Sequence, residues 1–568
     1  MTDDILLQVN RPAQYIGGEW NLPKKDFSES DIRLALCFPD LYEIGMSNLG
    51  LRLLYSIANN MEDVCCERFF APGTDMEALL RKDSAQFLSL ESKRKLGEFD
   101  LVGFSLGHEL NYTNVLNILD LAQIPLASAQ RDAGYPLIIG GGPAVLNPEP
   151  LHEFFDFFVI GEAEEALAEI IDVYRKLKDK FKRRAINKEE LLIEFSRIEG
   201  VYVPSLYVVE YDERGRIREF RPKAGGLPSR IKKRFIKDFN RAYFPVNWLV
   251  PYIPIVNDRI TLEIMRGCPN HCRFCQARVY YGPFRLRQKE NILDIAEQTY
   301  RHTGYEEISL GGLSVSDYPG IQGLVSALLA KFQDKVVALS LPSIKPKNMV
   351  GELSSLISTI KKTGLTFAPE SGSEKLRKAL GKDFVLADFF QALTEAYACG
   401  YQHVKLYFMI GLPEECDEDL DAIINLANEA SELRRKAGSG RALVNVSVNT
   451  LIPKPHTPLE RFKMINLDEI KYKQDYLKKR IRNKRLKFSF HHGHMSIIEG
   501  VLSRGDRRLS AVIYRAFKSG ARFDAWMSHF VSQHWLAAFE AAGINPDFYL
   551  RAREDSEFLP WDFLDTRV

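Results

Sequence analysis

The chain carries almost no net charge. Its 76 Lys and Arg stand against 75 Asp and Glu over 568 residues, a formal +1. No global field therefore selects nucleic acid or a membrane surface as partner. No uninterrupted apolar run reaches membrane-spanning length. The opening stretch MTDDILLQVNRP is acidic and lacks the apolar core of an export signal. The expectation is a cytoplasmic protein, in a compartment where thiols stay reduced. No internal repeat or low-complexity tract breaks the sequence. Cysteine is scarce, eight in all, and in a reducing compartment such scarcity argues against a disulfide framework. Composition is otherwise that of globular protein, 45% hydrophobic and 27% charged.

What is present begins with three of those cysteines. Cys268, Cys272 and Cys275 fall together in RGCPNHCRFCQA, residues 266–277. Clustered thiols in the cytosol point to metal or catalysis. A C-x3-C-x2-C triplet in a loop after a strand can hold three corners of a 4Fe–4S cubane, which normally takes four cysteines. Three leave one iron open, the mark of a reactive site as opposed to a closed one. Cys399 sits on an apolar helical pattern and Cys416 follows GLPEE, both far along the chain. The alternative is zinc with His271 as fourth ligand, although His271 and Cys272 are neighbours and would both have to bend onto one ion.

The hydrophobic pattern divides the chain into four segments. Residues 1–170 alternate buried-strand runs (IRLALCFPD, LVGFSLG, PLIIGGG, FFDFFVIGEAEEAL) with helical stretches. That is the signature of an open doubly wound parallel sheet. Residues 171–245 read as a connector with a β-hairpin turning at DERGR. Residues 246–460 hold six strand runs separated by helices: ITLEIMRG, EEISLGGLS, VVALSLPS, GLTFAPES, HVKLYFMIGLP and LVNVSVNTLIP. Six βα units predict a partial barrel with its chemistry at the strands' C-terminal ends. Residues 461–568 read as mainly helical. The fold class is α/β: an open doubly wound, flavodoxin-like parallel sheet, a partial (β/α)6 barrel and a helical tail.

RGCPNHCRFCQA resembles the cluster loop of the radical S-adenosylmethionine (radical SAM) superfamily, with Phe274 matching the aromatic before its third cysteine. The likeness extends along the barrel. SLGGLSVSD resembles the glycine-glycine motif that orients the cosubstrate's methionine amine, through Gly311 and Gly312, although Leu313 stands where an acid is usual. FAPESGSEKLRKALGK resembles the fourth-strand motif, placing Glu370, Ser371 and Ser373 near ribose and methionine carboxylate. FMIGLPEE resembles the fifth-strand turn, with Gly411 approaching adenine, and TLIPKPHTPLE the sixth-strand ending. Ser343, after the third run, is assigned to the same cosubstrate. The resemblance implies a 4Fe–4S cluster whose open iron binds S-adenosylmethionine and whose electron cleaves it. The resulting 5′-deoxyadenosyl radical would take hydrogen from a substrate. Taken singly, each glycine is equally a tight turn, and Ser343 or Ser371 equally a helix cap.

The first segment resembles cobalamin-binding modules fused ahead of radical SAM cores. Their D-x-H-x-x-G motif corresponds to Asp40, Tyr42 and Gly45, with tyrosine in place of the cobalt-coordinating histidine. Ser105, Gly140 and Gly141 match further marks. The resemblance therefore implies a histidine-off cobalamin site, a relict fold or a substrate-recognition domain. His108, in SLGHELNY, is either a satisfied loop histidine or a polar group facing the same cleft. Residues 461–490 hold eleven basic residues against three acids with tyrosines between, either a solvated face or a docking face for RNA. His491, His492 and His494 lack a metal-site motif. Arg504 and Asp506 are expected at the barrel mouth against substrate. The function expected is a radical SAM enzyme modifying a substrate carbon, by methyl transfer if cobalamin is bound, with flavodoxin or ferredoxin as reductant. The alternatives are a cobalamin-free enzyme acting on RNA or protein, and a non-catalytic iron–sulfur or zinc protein.

Overall fold

A computed structural model describes residues 3–82, 85–341, 345–350, 365–436 and 440–566. Strands β1 (Ile32–Phe38), β2 (Val64–Phe70), β3 (Leu101–Ser105), β4 (Leu137–Gly141), β5 (Phe157–Val159) and β6 (Val201–Tyr202) form one sheet. Its order is β2-β1-β3-β4-β5-β6. All pairs are parallel except β5 with β6. In a doubly wound sheet of order 2-1-3-4-5 the ligand crevice opens where the order reverses, here between β1 and β3. β1 and β2 are covered on both faces, which is why IRLALCF reads as a continuous apolar run. The charge inside β2 is paired: Arg68, 1% exposed, lies 2.8 Å from Glu19 and 2.6 Å from Glu91.

This sheet domain does not stop at 170. Helices Glu164–Lys182 and Lys188–Ser196 follow β5, and β6 adds an antiparallel edge. The unit runs through Leu206 before the hairpin β7 (Tyr207–Tyr211) and β8 (Ile217–Pro222). The charged run YRKLKDKFKRR is the solvent face of an amphipathic helix whose Leu167, Ile170, Ile171, Tyr174 and Phe181 are buried. Its polarity had suggested a connector. A short strand, β9 (Ile231–Lys232), leads on to the barrel.

The six expected barrel strands are β10 (Ile260–Glu263), then, after the short pair β11 (Met265–Arg266) and β12 (Arg285–Leu286), β13 (Glu307–Gly311), β14 (Ala338–Ser340), β15 (Leu365–Glu370), β16 (His403–Ile410) and β17 (Leu443–Thr450). A further strand, β18 (Leu486–Phe490), pairs parallel with β17 after helix Leu467–Arg480. Among the described residues the strands make two parallel sheets, β10-β13-β14 and β15-β16-β17-β18. β18 was not foreseen because LKFSF sits in a basic stretch and buries fully only Leu486. The barrel fold therefore reaches 490, not 460.

Beyond it, helices Gly493–Arg504, Leu509–Lys518 and Ser532–Ala542 form the helical tail. The tail packs on the first domain. One apolar core contains Leu34, Phe104 and Leu116 together with Val501, Leu502, Trp535 and Phe539. Polar ties join the same parts: Thr113 donates to Asp524 at 2.9 Å, and Asn147 to the Ser503 and Gly505 carbonyls at 3.0 and 2.8 Å. β19 (Leu564–Asp565) pairs parallel with β9.

Candidate functional site

The cysteine loop starts at Gly267, whose φ of 80° is left-handed and whose Cβ would lie 2.5 Å from the Pro283 carbonyl oxygen. Only glycine fits there. The loop ends at Cys275, the N-cap residue of helix Gln276–Tyr281. Lys233 ties down the far end of that helix, donating to the Val279, Tyr280 and Gly282 carbonyls. Asn270 donates to the Cys268 sulfur at 3.2 Å and to Asp317 at 2.9 Å, and Lys345 donates to its carbonyl oxygen at 2.6 Å. Burial pushes the Cys272 and Cys275 thiols up, and the Cys268 thiolate adds to the rise at both. Cys416 is bonded to Asp419 and Cys399 caps helix Leu386–Ala398, so both are otherwise placed.

Around this loop stand the barrel's strand ends. Gly311 and Gly312 close β13, and a Cβ on Gly312 would meet the Met265 side chain at 2.4 Å. Glu370 ends β15 after a register shift, with a φ of 68°. For a carboxylate residue that conformation costs roughly 1–3 kcal/mol and marks functional sites. Burial raises its carboxyl, Lys382 opposes this, and the Lys382 ammonium lies 3.1 Å away. Both groups are within electrostatic reach of Cys272. Ser373 caps helix Glu374–Ala379, and the Ser371 hydroxyl accepts the Ser373 N–H. Gly411 turns with a φ of 82° and donates its N–H to Glu415, itself paired with Lys473. Phe274 packs with Leu376, Leu380, Leu412, Leu451 and Leu459. Ser343 lies outside the described residues.

A cavity of 460 Å³ spans the two domains. One wall is a single face of the first sheet: Leu34 and Leu36 of β1, Gly103 and Ser105 of β3, Ile139 and Gly141 of β4, Val159 of β5. The alternate residues of each strand fall on one face, and glycine at 103 and 141 lowers the middle of it. A Cβ on Gly141 would meet nothing nearer than the Val159 oxygen at 3.9 Å. Helices Leu49–Asn59 and Glu164–Lys182 form the opposite wall, and Gly311, Gly312 and Leu313 open it onto the barrel mouth. At this junction Arg266, two residues before Cys268, bonds Glu263 at 2.8 Å, Glu164 at 2.6 Å and Glu162 at 3.1 Å, and Arg285 bonds Glu162 at 2.5 Å.

The residues assigned to cobalamin divide. Ser105, Gly140 and Gly141 line the cavity. Asp40, Tyr42 and Gly45 do not, which corrects that part of the assignment. Asp40 accepts from the Trp526 indole at 3.0 Å, the Tyr42 hydroxyl bonds Glu19 at 3.0 Å, and a Cβ on Gly45 would strike the Phe70 ring. Arg504 and Asp506 are corrected also. Arg504 is 0% exposed, and its donors satisfy the Pro453, Glu460, Tyr549 and Arg551 carbonyls. Asp506 is buried on Arg508 and the Tyr549 hydroxyl. Neither has a group left for substrate.

Two further clusters lie nearby. Lys454 sits 2.8 Å from Glu109 and 2.9 Å from Glu499, and His108 is 3.4 Å from Glu499. Among the described residues only His108, Glu109 and Glu499 bring three possible metal ligands within 4.8 Å of one another, and Lys454 already pairs with both carboxylates. The three cysteines with His271 do not converge to single-ion spacing. The basic helix Leu467–Arg480 is braced against helix Asp417–Lys436: Tyr472 bonds Asp417, Tyr476 and Arg480 bond Asp421, and Lys473 bonds Glu415. His491 bonds Ser496. Sequence reading missed Asn270, Asp317, Lys382, Arg266 and Gly103. Only Asp317 left a signal, as the acid displaced from the glycine-glycine motif to the end of SVSD.

The donor set fits a 4Fe–4S cluster: three thiols on one glycine-turned loop, with an amide N–H aimed at one sulfur. The cavity's lining is mainly apolar, and the 40–45 turn offers it no lower ligand. A family model described as the radical SAM superfamily matches residues 262–427, and one described as radical SAM proteins, N-terminal, matches 50–204. An uncharacterized protein of Methanocaldococcus jannaschii is 28% identical over 514 residues, 90% of this chain and 97% of that one. The tRNA-2-methylthio-N(6)-dimethylallyladenosine synthase of Petrotoga mobilis is 24% identical over 357 residues, 58% of this chain and 71% of that one. The solved radical S-adenosylmethionine methyltransferase TsrM of Kitasatospora setae, with cobalamin and cluster bound, superimposes at a TM-score of 0.49 and 13% identity over 76% of this chain and 77% of that one. The chain belongs to the radical SAM superfamily of enzymes, whose cofactors are a 4Fe–4S cluster and S-adenosylmethionine.

Proposed function

We propose that the protein cleaves S-adenosylmethionine reductively and methylates a substrate carbon, with a corrinoid seated in the cavity between its domains. The observation that carries this reading is the cavity itself. It runs from one face of the doubly wound sheet to the glycine pair at the barrel mouth, and Arg266 and Gly267, at the start of the cysteine loop, line it. When bound, the cluster supplies the electron that opens the sulfonium, and the corrinoid supplies a carrier for the methyl group.

The chain's own residues then have separable tasks. Cys268, Cys272 and Cys275 hold the cluster. Gly311, Gly312 and Gly411 let backbone approach the cosubstrate where a side chain would block it. Glu370, fixed by Lys382, offers its carboxylate to the ribose hydroxyls. The leucines, Ile139 and Val159 keep water from the cavity, and Ser105 and Glu164 give the occupant polar contacts. The Arg266 ion network fixes the cavity wall to the loop that carries Cys268. A second reading, modification of tRNA without a corrinoid, draws on the likeness to the Petrotoga mobilis enzyme.

The test is anaerobic reconstitution of the full chain with hydroxocobalamin present. The expected holoprotein carries about four iron and four sulfide, retains a corrinoid visible in its spectrum, and on reduction turns S-adenosylmethionine into 5′-deoxyadenosine. One zinc and no iron would overturn the reading. Cluster and cleavage without corrinoid retention at micromolar concentration would leave the second reading in its place.

A further inference from the structure

We propose that Asn270 raises the reduction potential of the cluster by donating a side-chain N–H to the Cys268 sulfur. This rests on Cys268, Cys272 and Cys275 being the cluster ligands. The orientation of the Asn270 amide is fixed by its neighbours. Its Oδ1 lies 2.6 Å from the Lys345 ammonium, which can only donate. Its Nδ2 lies 2.9 Å from an Asp317 carboxylate oxygen, which can only accept. Turned the other way, the amide would face oxygen to carboxylate and N–H to ammonium. The same Nδ2 lies 3.2 Å from the Cys268 sulfur and 3.4 Å from the Ser314 hydroxyl. One amide hydrogen is therefore held by Asp317, and the other is aimed at the sulfur.

The frame behind the amide is closed. Lys345 also pairs with Asp317 at 2.9 Å, Ser314 donates to Asp317 at 2.7 Å, and the Lys345 N–H bonds the Ser316 hydroxyl at 3.0 Å. Lys345 and Asp317 thus hold the Asn270 amide from two sides, with its donor on the sulfur. A hydrogen bond to a ligating sulfur withdraws charge from it and favours the reduced cluster, one of the ways a protein sets an iron–sulfur potential. Asn270 is thus a positioning residue acting through Cys268, and Asp317 and Lys345 hold it there.

The experiment uses the full-length reconstituted holoprotein and two variants, with iron and sulfide assayed and the cluster followed by EPR during a redox titration. Asn270→Leu keeps the side chain's shape without the donor. Asn270→Asp keeps an oxygen for Lys345 and sets charge against the sulfur. Both midpoints should move to more negative values, Asn270→Asp further than Asn270→Leu, at unchanged iron content. Unchanged midpoints in fully loaded variants would overturn the proposal. Should either variant lose iron, wild-type protein carrying asparagine labelled with 15N in its side-chain amide decides. A 15N hyperfine coupling to the reduced cluster is expected, and its absence overturns the proposal. A wild-type protein without iron would sink the cluster assignment itself, and this inference with it.

Discussion

Gly141→Leu tests whether the space between the domains is a seat or a packing fault. Gly141 has no left-handed φ to lose, and its Cβ would enter open space. The variant places four carbons in a cavity walled by Leu34, Leu36, Leu54 and Val159. At roughly 0.8 kcal/mol for each buried carbon they contribute about 3 kcal/mol. Fixing the leucine rotamer costs about 0.5–1 kcal/mol, and removing a glycine from a strand interior returns a similar amount. The unliganded variant should therefore be about 3 kcal/mol more stable than wild type. Hydroxocobalamin at a hundredfold excess over its dissociation constant adds about 2.7 kcal/mol to a protein that binds it. Thermal melts with and without the corrinoid read both effects. Wild type should shift upward with ligand, while Gly141→Leu should start higher and not respond. Cleavage of S-adenosylmethionine without substrate should survive in both. A variant less stable than wild type by more than about 1 kcal/mol would show that neighbours already fill the space. A stable variant that still retains corrinoid would place the seat elsewhere.

Other outcomes follow from the same geometry. Cys272→Ala should lose iron and S-adenosylmethionine cleavage together while its far-UV circular dichroism stays that of wild type; retained cleavage would remove the ligand assignment. Arg266→Met leaves the largely buried Glu164 and Glu263 without their cation, a loss of up to about 3 kcal/mol, measured by urea unfolding of the apoprotein. His152 and His456 set an acid limit. Burial, helped by Arg507, pushes His152 down to about 3, and burial pushes His456 down to about 4. Both are neutral when folded and titrate near 6.5 when unfolded. Their stabilisation is complete above pH 6.5 and drains as the pH falls toward 4, a few kcal/mol for each. Urea midpoints between pH 7.5 and 4.5 should fall accordingly, and His152→Gln should flatten the slope.

The strand ends of the barrel were readable because their residues break the local pattern. Three thiols, a glycine pair and a carboxylate directly after TFAP all interrupt apolar runs, and a run's end is where a βα loop begins. β18 was unreadable for the opposite reason: a half-exposed edge strand within a basic stretch has neither a continuous apolar run nor a turn signal of its own. The 40–45 turn misled because D-x-x-x-x-G records a local shape and not the direction in which it faces; Trp526, hundreds of residues away, turns Asp40 into a tail contact. Arg504 misled likewise, since a sequence cannot show four carbonyls converging on one guanidinium. The cavity was invisible as a cavity. Gly103 and Gly141 lie on different strands, and only the parallel register, which sets Gly103 opposite Ile139 and Ser105 opposite Gly141, puts them on the same face.

The tail that completes the first domain's core has a bearing on how the molecule comes into being. Synthesis runs from the amino end, so the first sheet emerges well before Val501, Trp535 and Phe539, which finish its packing. Until they arrive a nascent chain bears an uncovered greasy face, the kind of surface on which chaperones act. A clone truncated before the tail should therefore aggregate.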